Sequence, residues 1–160
     1  LGQVDVDIRY GVAQWPDLTI EPLFEERITA LASPDFIRSH RLRRPEQLMD
    51  APLIQSNVSV IQWPDWFAAV TDRRAPERFA ARFDRAQMSL DAAAQGLGVA
   101  LESTTIGAQH LAKGLLRPVF GLEKCVKIKA HFLVYPARHV RRKPVEAFID
   151  WLRRETKKKA

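Results

Sequence analysis

The segment VDVDIRYG, residues 4–11, begins a chain of alternating secondary-structure patterns. Its apolar side chains recur at every second position from Val4 to Tyr10, which is the period of a β-strand, and Gly11 ends that strand. Residues 19–32 form a second extended region, and helical patterns alternate with strands from there to the end of the chain. This alternation predicts an α/β fold with largely parallel strand pairing.

Helices are predicted from capping residues at their amino ends. Ser33 precedes a proline and an acid, which is typical of a helix start. Asp84 is followed three residues later by Gln87, a capping-box pattern that predicts a second start. Ser103 or Thr104 is expected to cap a helix that ends near residue 114. Further helical segments are predicted at residues 45–51, 63–70 and 143–152.

Strands are predicted where short apolar runs follow the helices. The longest, residues 126–134, alternates apolar side chains with Lys127 and Lys129, so one face is expected to be wet at its start. Trp63 and Trp66 lie at helical spacing, and aromatic residues in such a pattern favour a core cluster over a pocket wall. The other predicted strands are residues 53–54, 79–83 and 99–101.

The composition is that of one globular domain with a core. The chain has 160 residues, of which 46% are apolar and 28% are charged, and a chain of this size buries about two thirds of its surface on folding. The formal net charge is +6. Its positive charges are spread over residues 41–44, 73–78, 141–143 and 157–159, which favours a solvated surface over a nucleic-acid patch.

Cysteine usage and hydropathy indicate the compartment. The single cysteine, Cys125, excludes an internal disulfide and fits a reducing cytosol. No apolar run approaches the about 20 residues that a membrane span needs, and no signal peptide is visible. We therefore expect a cytoplasmic protein without membrane contact, although a chain that starts at Leu1 leaves a lost leader open.

A series of short segments follows one order along the chain. The segments are VDVDIRYG (4–11), WP (15–16), SPDF (33–36), PLIQ (52–55), WPDWF (63–67), RFD (82–84), AAAQGLGVAL (92–101), LAKGLLRPV (111–119), HFLVYP (131–136) and KPVEAFIDWL (143–152). In this order and spacing they resemble the effector-binding domain of a LysR-type bacterial transcriptional regulator, in the branch of the glycine-cleavage and β-lactamase regulators.

The resemblance implies a two-subdomain periplasmic-binding-protein-like (type 2) fold. Residues 1–24 and 104–160 would form subdomain I, residues 25–103 would form subdomain II, and two crossover strands would join them near residues 21–27 and 101–105. In the family, two strand–helix units and a helix-turn-helix precede residue 4. We therefore expect subdomain I to be incomplete, with an open sheet edge beside the first strand and an uncovered apolar face.

The resemblance also implies a function. The domain would bind a small, anionic or zwitterionic metabolite in the cleft between its subdomains and so control a DNA-bound oligomer. The full-length protein would be a homodimer or homotetramer, and DNA would be contacted only through the missing helix-turn-helix. A solute-binding protein of a transport system, with the same architecture, is the alternative function.

Arg9, Tyr10 and Trp15 are the first candidate effector-binding residues. They lie at or just beyond the carboxyl end of a predicted strand, where ligands bind in open α/β sheets. Arg9 could pair with a carboxylate, and Trp15 could form a pocket wall. Alternatively, Tyr10 and Trp15 pack in the core and Arg9 forms a surface ion pair.

Two short polar segments complete the candidate site. Gln55, Ser56 and Asn57 follow the strand at residues 53–54, and the resemblance places them facing the cleft; the alternative is an ordinary polar turn. Residues 103–105, which are Ser103, Thr104 and Thr105, combine hydroxyl groups with a predicted helix amino end, and such an end suits an anion. Simple helix capping is the alternative for them.

No pattern for catalysis or for a cofactor appears. The chain lacks a nucleophile elbow, a pair of catalytic acids and a phosphate loop, and Gly96 and Gly98 close a helix instead of opening one. Its four histidines have no metal-ligand spacing. A lone thiol such as Cys125 is more often inert than redox-active. We therefore expect no enzyme activity, no cofactor and no metal.

Overall fold

The chain forms two compact units in a computed structural model that describes residues 5–157. The smaller unit contains residues 5–26 and 128–157, and the larger unit contains residues 27–127. The first position of the predicted strand, Val4, and the last lysines of the basic tail, Lys158 and Lys159, lie outside the described residues.

The elements alternate between strands and helices as the sequence pattern predicts. The strands are β1 (Asp7–Tyr10), β2 (Thr19–Pro22), β3 (Glu26–Ala32), β4 (Leu53–Ser56), β5 (Ala81–Phe83), β6 (Val99–Ser103), β7 (Arg117–Pro118), β8 (Cys125–Ile128) and β9 (His131–Tyr135). The helices are α1 (Pro34–Ser39), α2 (Trp63–Val70), α3 (Ala86–Ala94), α4 (Ala108–Ala112) and α5 (Lys143–Lys157), with 3-10 helices at Pro45–Met49 and Ala137–His139.

The smaller unit is a three-stranded antiparallel sheet with one long helix. The strand order is β1-β9-β2, so β9 pairs on both sides. Leu133 and Tyr135 of β9 pack against the apolar face of α5, which buries Val145, Ile149 and Leu152. Among the described residues, β1 pairs only with β9 and forms an edge of this sheet.

A polar triad links β2, β9 and α5 in the smaller unit. Arg153 donates to both carboxylate oxygens of Glu21 at 2.7–3.0 Å, and the Tyr135 hydroxyl also donates to Glu21. The hydrogen bond from Arg153 lowers the pKa of the Glu21 carboxyl. Burial, followed by the hydrogen bond to Glu21, raises the pKa of the Tyr135 hydroxyl. The triad therefore joins all three elements through one carboxylate.

The larger unit is a mixed sheet with helices packed on it. Its strand order is β5-β4-β6-β3-β7, and β8 also pairs with β3. Strand β4 runs parallel to both β5 and β6. Strand β3 runs antiparallel to β6 and β7.

The prediction of largely parallel pairing is wrong. Four of the six strand pairs with a described direction are antiparallel. Only β4, β5 and β6, which α2 and α3 connect in succession, form parallel pairs. Each of these helical crossovers returns the chain to the end of the sheet at which the preceding strand began, so β5 and β6 run parallel to β4.

Apolar side chains fill the interior of the larger unit. Leu31, Ile54 and Ala100 of the sheet pack against Leu90 and Ala93 of α3. A second group consists of aromatic residues on α2, all fully buried: Trp63, Trp66 and Phe67. The Trp63 indole donates to the Ile54 carbonyl at 2.9 Å. The prediction that this aromatic group belongs to the core is confirmed.

Two helix starts differ from the prediction. Ser33 does cap α1, because its hydroxyl accepts the Phe36 N–H at 3.2 Å. Asp84 does not cap α3, which begins two residues later with Arg85 at the cap position. Helix α4 likewise begins at Ala108, after Gly107. Strand β6 continues to Ser103 and a turn follows it, so neither predicted hydroxyl occupies the cap.

The predicted strand at residues 126–134 is two strands. Strand β8 ends at Ile128 and pairs with β3, whereas β9 begins at His131 and pairs with β1 and β2. The alternating pattern runs through both because each strand has the same local period. The partner changes because the chain passes from the larger to the smaller unit after Lys127.

The unit bounds also differ from those that the resemblance implies. Residues 104–127 group with the larger unit, so its range is 27–127 instead of 25–103. Strands β7 and β8 pair with β3, and the Lys124 carbonyl accepts hydrogen bonds from Thr29 and Trp66. These contacts hold the segment after β6 in the larger unit.

One glycine is required by a close backbone approach. A Cβ on Gly98 would lie 2.3 Å from the Pro52 carbonyl oxygen, which already accepts the Val99 N–H. This contact aligns the beginning of β6 with the beginning of β4. Gly98 thus fixes the register of the two strands whose other ends carry candidate site residues.

Candidate effector site

The parallel pairing of β4 and β6 brings two predicted polar segments to one edge of the larger unit. Leu53 is level with Val99 and Ile54 with Ala100. The carboxyl ends of both strands therefore meet at the same edge, which is where ligands bind in sheets of this type. The segments at that edge are 55–57 and 103–105.

Gln55 and Ser56 are buried in this edge, and Asn57 is exposed. The Gln55 amide donates to the Ser56 carbonyl at 2.8 Å and also bonds to Gln62. Gln62 in turn donates to the Ser56 carbonyl at 3.1 Å and to the Ser59 carbonyl. These bonds join the segment after β4 to the residue that precedes α2 and form a hydrogen-bonded turn.

The hydroxyl segment after β6 is also an ordered turn. The Ser103 hydroxyl accepts the N–H groups of Thr105 and Ile106 at 3.1 and 3.4 Å. The Thr104 N–H donates to the Arg27 carbonyl at 3.0 Å. Ser103 is buried, Thr104 is half-buried and Thr105 is exposed. The Thr105 side chain is the one most open to a ligand in this segment.

In the smaller unit, the structure brings Arg9 and Trp15 together. The Arg9 guanidinium lies 5.4 Å from the centre of the Trp15 ring, and its Nε donates to Asp7 at 2.9 Å. The Trp15 ring packs edge-on against Phe132 at 5.7 Å. The Arg9 side chain remains 28% exposed. A partly desolvated cation on an aromatic face suits an anionic group.

Tyr10 lies on the other face of β1. It pairs in register with His131 of β9, and their rings are 4.9 Å apart. Neighbouring side chains of a strand point to opposite faces, so Tyr10 is separated from Arg9. The His131 ring also stacks on Phe24 at 5.3 Å, and its Nδ1 lies 3.1 Å from the buried Glu26 carboxylate.

Two residues that the sequence interpretation did not select belong to these surroundings. Gln62 orders the segment after β4, and its position directly before Trp63 and Pro64 at the start of α2 was the available signal. His131 contacts Tyr10, Phe24 and Glu26, although its strand position gives no cue to that role.

The accessible groups of the candidate site are donors. Arg9 carries a charge, and the exposed Asn57 and Thr105 carry an amide and a hydroxyl. Guanidinium, amide and hydroxyl groups bind carboxylates and other oxyanions.

Metal sites, membrane-spanning helices and other grooves were also sought within residues 5–157. Within residues 5–157 there is no group of three or more metal-ligating side chains placed for a metal ion. No helix of that part is long and apolar enough to cross a membrane. A groove of about 590 Å³ in the larger unit contains no predicted effector residue; its lining includes Ser33, Phe36, His40, Gln95, Gly114 and Leu115.

Comparisons with known proteins agree with the motif order. The family model of the LysR substrate binding domain matches residues 1–157. The HTH-type transcriptional regulator y4mQ of Sinorhizobium fredii is 39% identical over 156 residues, which are 96% of this chain and 51% of that protein. The HTH-type transcriptional regulator PerR of Escherichia coli is 35% identical over 94% of this chain and 50% of its own length.

A solved structure shares the fold. The effector domain of the transcriptional regulator AmpR of Pseudomonas aeruginosa superposes with a TM-score of 0.83 at 28% identity, covering 99% of this chain and 75% of that one. The chain spans about half the length of the curated relatives given above.

Proposed function

The chain belongs to the LysR substrate-binding domain family, and we propose that it senses a small anionic or zwitterionic metabolite for a bacterial transcriptional regulator. The predicted family is confirmed, and so is the two-subdomain periplasmic-binding-protein-like fold. The chain is thus an effector-binding domain of a LysR-type regulator. Our proposal concerns the effector, which we expect to be an anionic or zwitterionic metabolite.

The family match over residues 1–157 carries the proposal. Within that frame, the chemistry of the accessible side chains supports an anion. Arg9 is the charged donor of the smaller unit, and Trp15 gives it an aromatic face. In the larger unit, Asn57 and Thr105 offer uncharged donors at the edge where β4 and β6 end. A metabolite with a carboxylate and a polar tail would use both kinds of group.

The buried candidates have a supporting role in this proposal. Gln55, Ser56 and Ser103 are closed off by their own turns. They hold Asn57 and Thr105 in place, so the donors are ordered before a ligand arrives. Preorganised donors bind more tightly because less conformational entropy is lost on binding.

The activity of the whole protein is also part of the proposal. We expect a separate helix-turn-helix module to contact DNA, since the named relatives are HTH-type regulators about twice as long as this chain. We expect a homodimer or homotetramer in the cytoplasm, with the effector changing the arrangement of the two units. A preference of about 1–3 kcal/mol for one arrangement is sufficient for such a switch.

The relatives favour a regulator over the transport alternative. Both curated relatives and the solved structure are named as transcriptional regulators. A solute-binding protein of a transport system would share the fold without sharing those names. The names of the relatives therefore support a regulator and give no support to a transport function.

Calorimetric titration tests the effector class. The chain, extended by its own upstream sequence, is titrated with amino acids, carboxylates and peptidoglycan fragments. We expect at least one anionic or zwitterionic compound to bind, and Arg9→Gln to weaken its binding about 10- to 100-fold, since a hydrogen bond to a charged group contributes about 1.5–3 kcal/mol.

Arg154→Gln is the matched control, because Arg154 is an exposed cation on α5. It removes the same charge and should leave the affinity unchanged. Equal losses in the two variants would indicate a general charge effect and contradict the role of Arg9. Binding of neutral compounds alone would contradict the anionic class.

A further inference from the structure

Three polar side chains of the larger unit are buried on helix α3 and on two neighbouring strands of the sheet. Ser56 ends β4, Glu102 lies near the end of β6, and Ser89 lies in α3; none is more than 2% exposed. The hydroxyl oxygens of Ser56 and Ser89 have no hydrogen-bond partner within the described residues 5–157. Buried hydroxyl groups without a partner are rare in folded proteins, and each requires an explanation.

The register places Ser56 and Glu102 side by side. Ile54 is level with Ala100 in the parallel pair of β4 and β6. The described pairing of β4 and β6 ends at that pair. Ser56 and Glu102 each follow it by two residues, so we infer that they lie at about the same level. Side chains two residues apart on a strand share a face, so both lie on the face that carries Ile54 and Ala100.

The helix brings Ser89 to the same level. Ala93 of α3 packs against Ile54 and Ala100. Helix α3 begins three residues after Phe83 ends β5 and ends before Val99 begins β6, so it runs antiparallel to the parallel strands. Ser89 precedes Ala93 by four residues, or about 6 Å towards the carboxyl edge. Two strand residues cover about 6.6 Å, so the three polar groups form one layer.

We propose that this polar layer, Ser56, Ser89 and Glu102, encloses an ordered water molecule that hydrogen-bonds both serine hydroxyls. Internal waters typically make two to four hydrogen bonds to buried polar groups that otherwise lack partners. The two hydroxyls supply those bonds, and the buried Glu102 carboxylate is a further acceptor in the same layer.

The chemistry of the hydroxyls favours water over a cation. A hydroxyl carries one hydrogen to donate and two lone pairs to accept with. A sodium or potassium ion would use only the lone pairs of Ser56 and Ser89. The hydrogens of both hydroxyls would then depend on Glu102, the one carboxylate of the layer. Water both donates and accepts, so it satisfies each hydroxyl in either orientation.

Magnetic relaxation dispersion of the water oxygen-17 nucleus tests the site, because it counts internal waters with long residence times. We expect the Ser56→Ala/Ser89→Ala double variant of the 160-residue chain to hold about one long-lived water fewer than the unaltered chain. Ser39→Ala is the control: Ser39 is an exposed serine whose hydroxyl donates to the Phe36 carbonyl at 3.1 Å. It should leave the count unchanged.

An equal count in the unaltered chain and in a folded double variant would overturn the proposal. A higher thermal midpoint in potassium or sodium chloride than in choline chloride, at equal ionic strength, would overturn it in favour of a cation. Should the double variant not fold, a high-resolution crystal structure of the unaltered chain decides. Density for one water bonded to both hydroxyls supports the proposal, and an empty layer overturns it.

Discussion

The larger unit is held by apolar burial, whereas the smaller unit relies more on polar contacts. The larger unit encloses Trp63, Trp66 and Phe67 completely and covers its sheet with helices. The smaller unit has three strands and one long helix, joined through the carboxylate of Glu21. On its surface, the side chain of Trp151 is 49% exposed.

This difference indicates which unit is the more stable on its own. Apolar burial is the dominant favourable contribution to folding, and partly exposed ion pairs contribute little. We therefore expect the larger unit to keep its structure under conditions in which the smaller unit opens. Four substitutions, in order of decreasing effect, test the contrast.

Trp63→Ala should have the largest effect. It leaves a cavity in the aromatic cluster of α2 and removes the hydrogen bond to the Ile54 carbonyl. We expect the free energy of unfolding of the larger unit to fall by about 3–5 kcal/mol, measured by urea denaturation with circular dichroism. The same truncation at the half-exposed Trp151 is the control. If Trp63→Ala and Trp151→Ala lowered the free energy of unfolding equally, the contrast between the two units would be contradicted.

Gly98→Ala should destabilise the larger unit by a smaller amount. The added methyl would lie 2.3 Å from the Pro52 carbonyl oxygen, so the backbone must shift at the start of β6. Such overpacking typically costs about 1–3 kcal/mol. Gly96→Ala is not a clean control because Gly96 has a positive φ of 83°. The control is Ala92→Gly on α3, which alters one methyl group in the same unit without a backbone clash. If Gly98→Ala left the free energy of unfolding unchanged, β6 would tolerate a backbone shift at its start, which would contradict the prediction.

Glu21→Gln should change how the stability of the smaller unit depends on pH. The hydrogen bond from Arg153 lowers the pKa of the folded Glu21 carboxyl, so its contribution is present above the ordinary glutamate pKa of about 4.3. That contribution is lost as the pH falls through the lowered value. Because the Arg153 side chain is 46% exposed, screening limits the effect to about 1 kcal/mol at most.

Urea denaturation at pH 7 and pH 3 measures this contribution. The unaltered chain should lose up to about 1 kcal/mol more than Glu21→Gln between the two pH values. Asp35→Asn is the control, since Asp35 and Arg38 form a highly exposed pair in the larger unit. If Asp35→Asn flattened the pH dependence as much as Glu21→Gln, the triad would have no special role.

Trp151→Ser should have the smallest effect on stability. The Trp151 ring packs against Phe148 in a tilted arrangement with their centres 5.8 Å apart, and both residues are exposed on α5. We expect the free energy of unfolding to change by no more than about 0.5 kcal/mol, while binding of a hydrophobic dye to the native chain falls. Met88→Ser removes an exposed apolar side chain of the larger unit as a control. If dye binding fell in Met88→Ser and not in Trp151→Ser, the dye would bind to the larger unit. That result would contradict the prediction.

Much of the fold could be predicted because local signals and tertiary structure agree. The predicted helix at residues 63–70 is α2 itself, since Pro64 marks its first turn and its buried aromatic residues keep the helical period. The strand at residues 126–134 could not be predicted correctly. Strands β8 and β9 follow each other with the same alternation of apolar and polar side chains. Such alternation does not show which strand a segment pairs with.

The candidate site shows the same limit. The sequence could have separated Tyr10 from Arg9, because adjacent strand residues point to opposite faces. It could not show that Trp15 folds back onto Arg9, since the four loop residues 11–14 separate Trp15 from the end of β1. Nor could it show that Gln62 closes Gln55 into a buried turn, because that contact depends on how α2 follows β4.

Hydrogen exchange with and without a bound effector tests most directly whether both units contribute to binding. Once titration has identified a ligand, exchange is measured by mass spectrometry at residues 9–15, 55–57 and 103–105. Our account predicts that backbone amides in segments of both units become more protected together, and that Arg9→Gln reduces the protection. Protection confined to one unit, or to the groove beside α1, would contradict it.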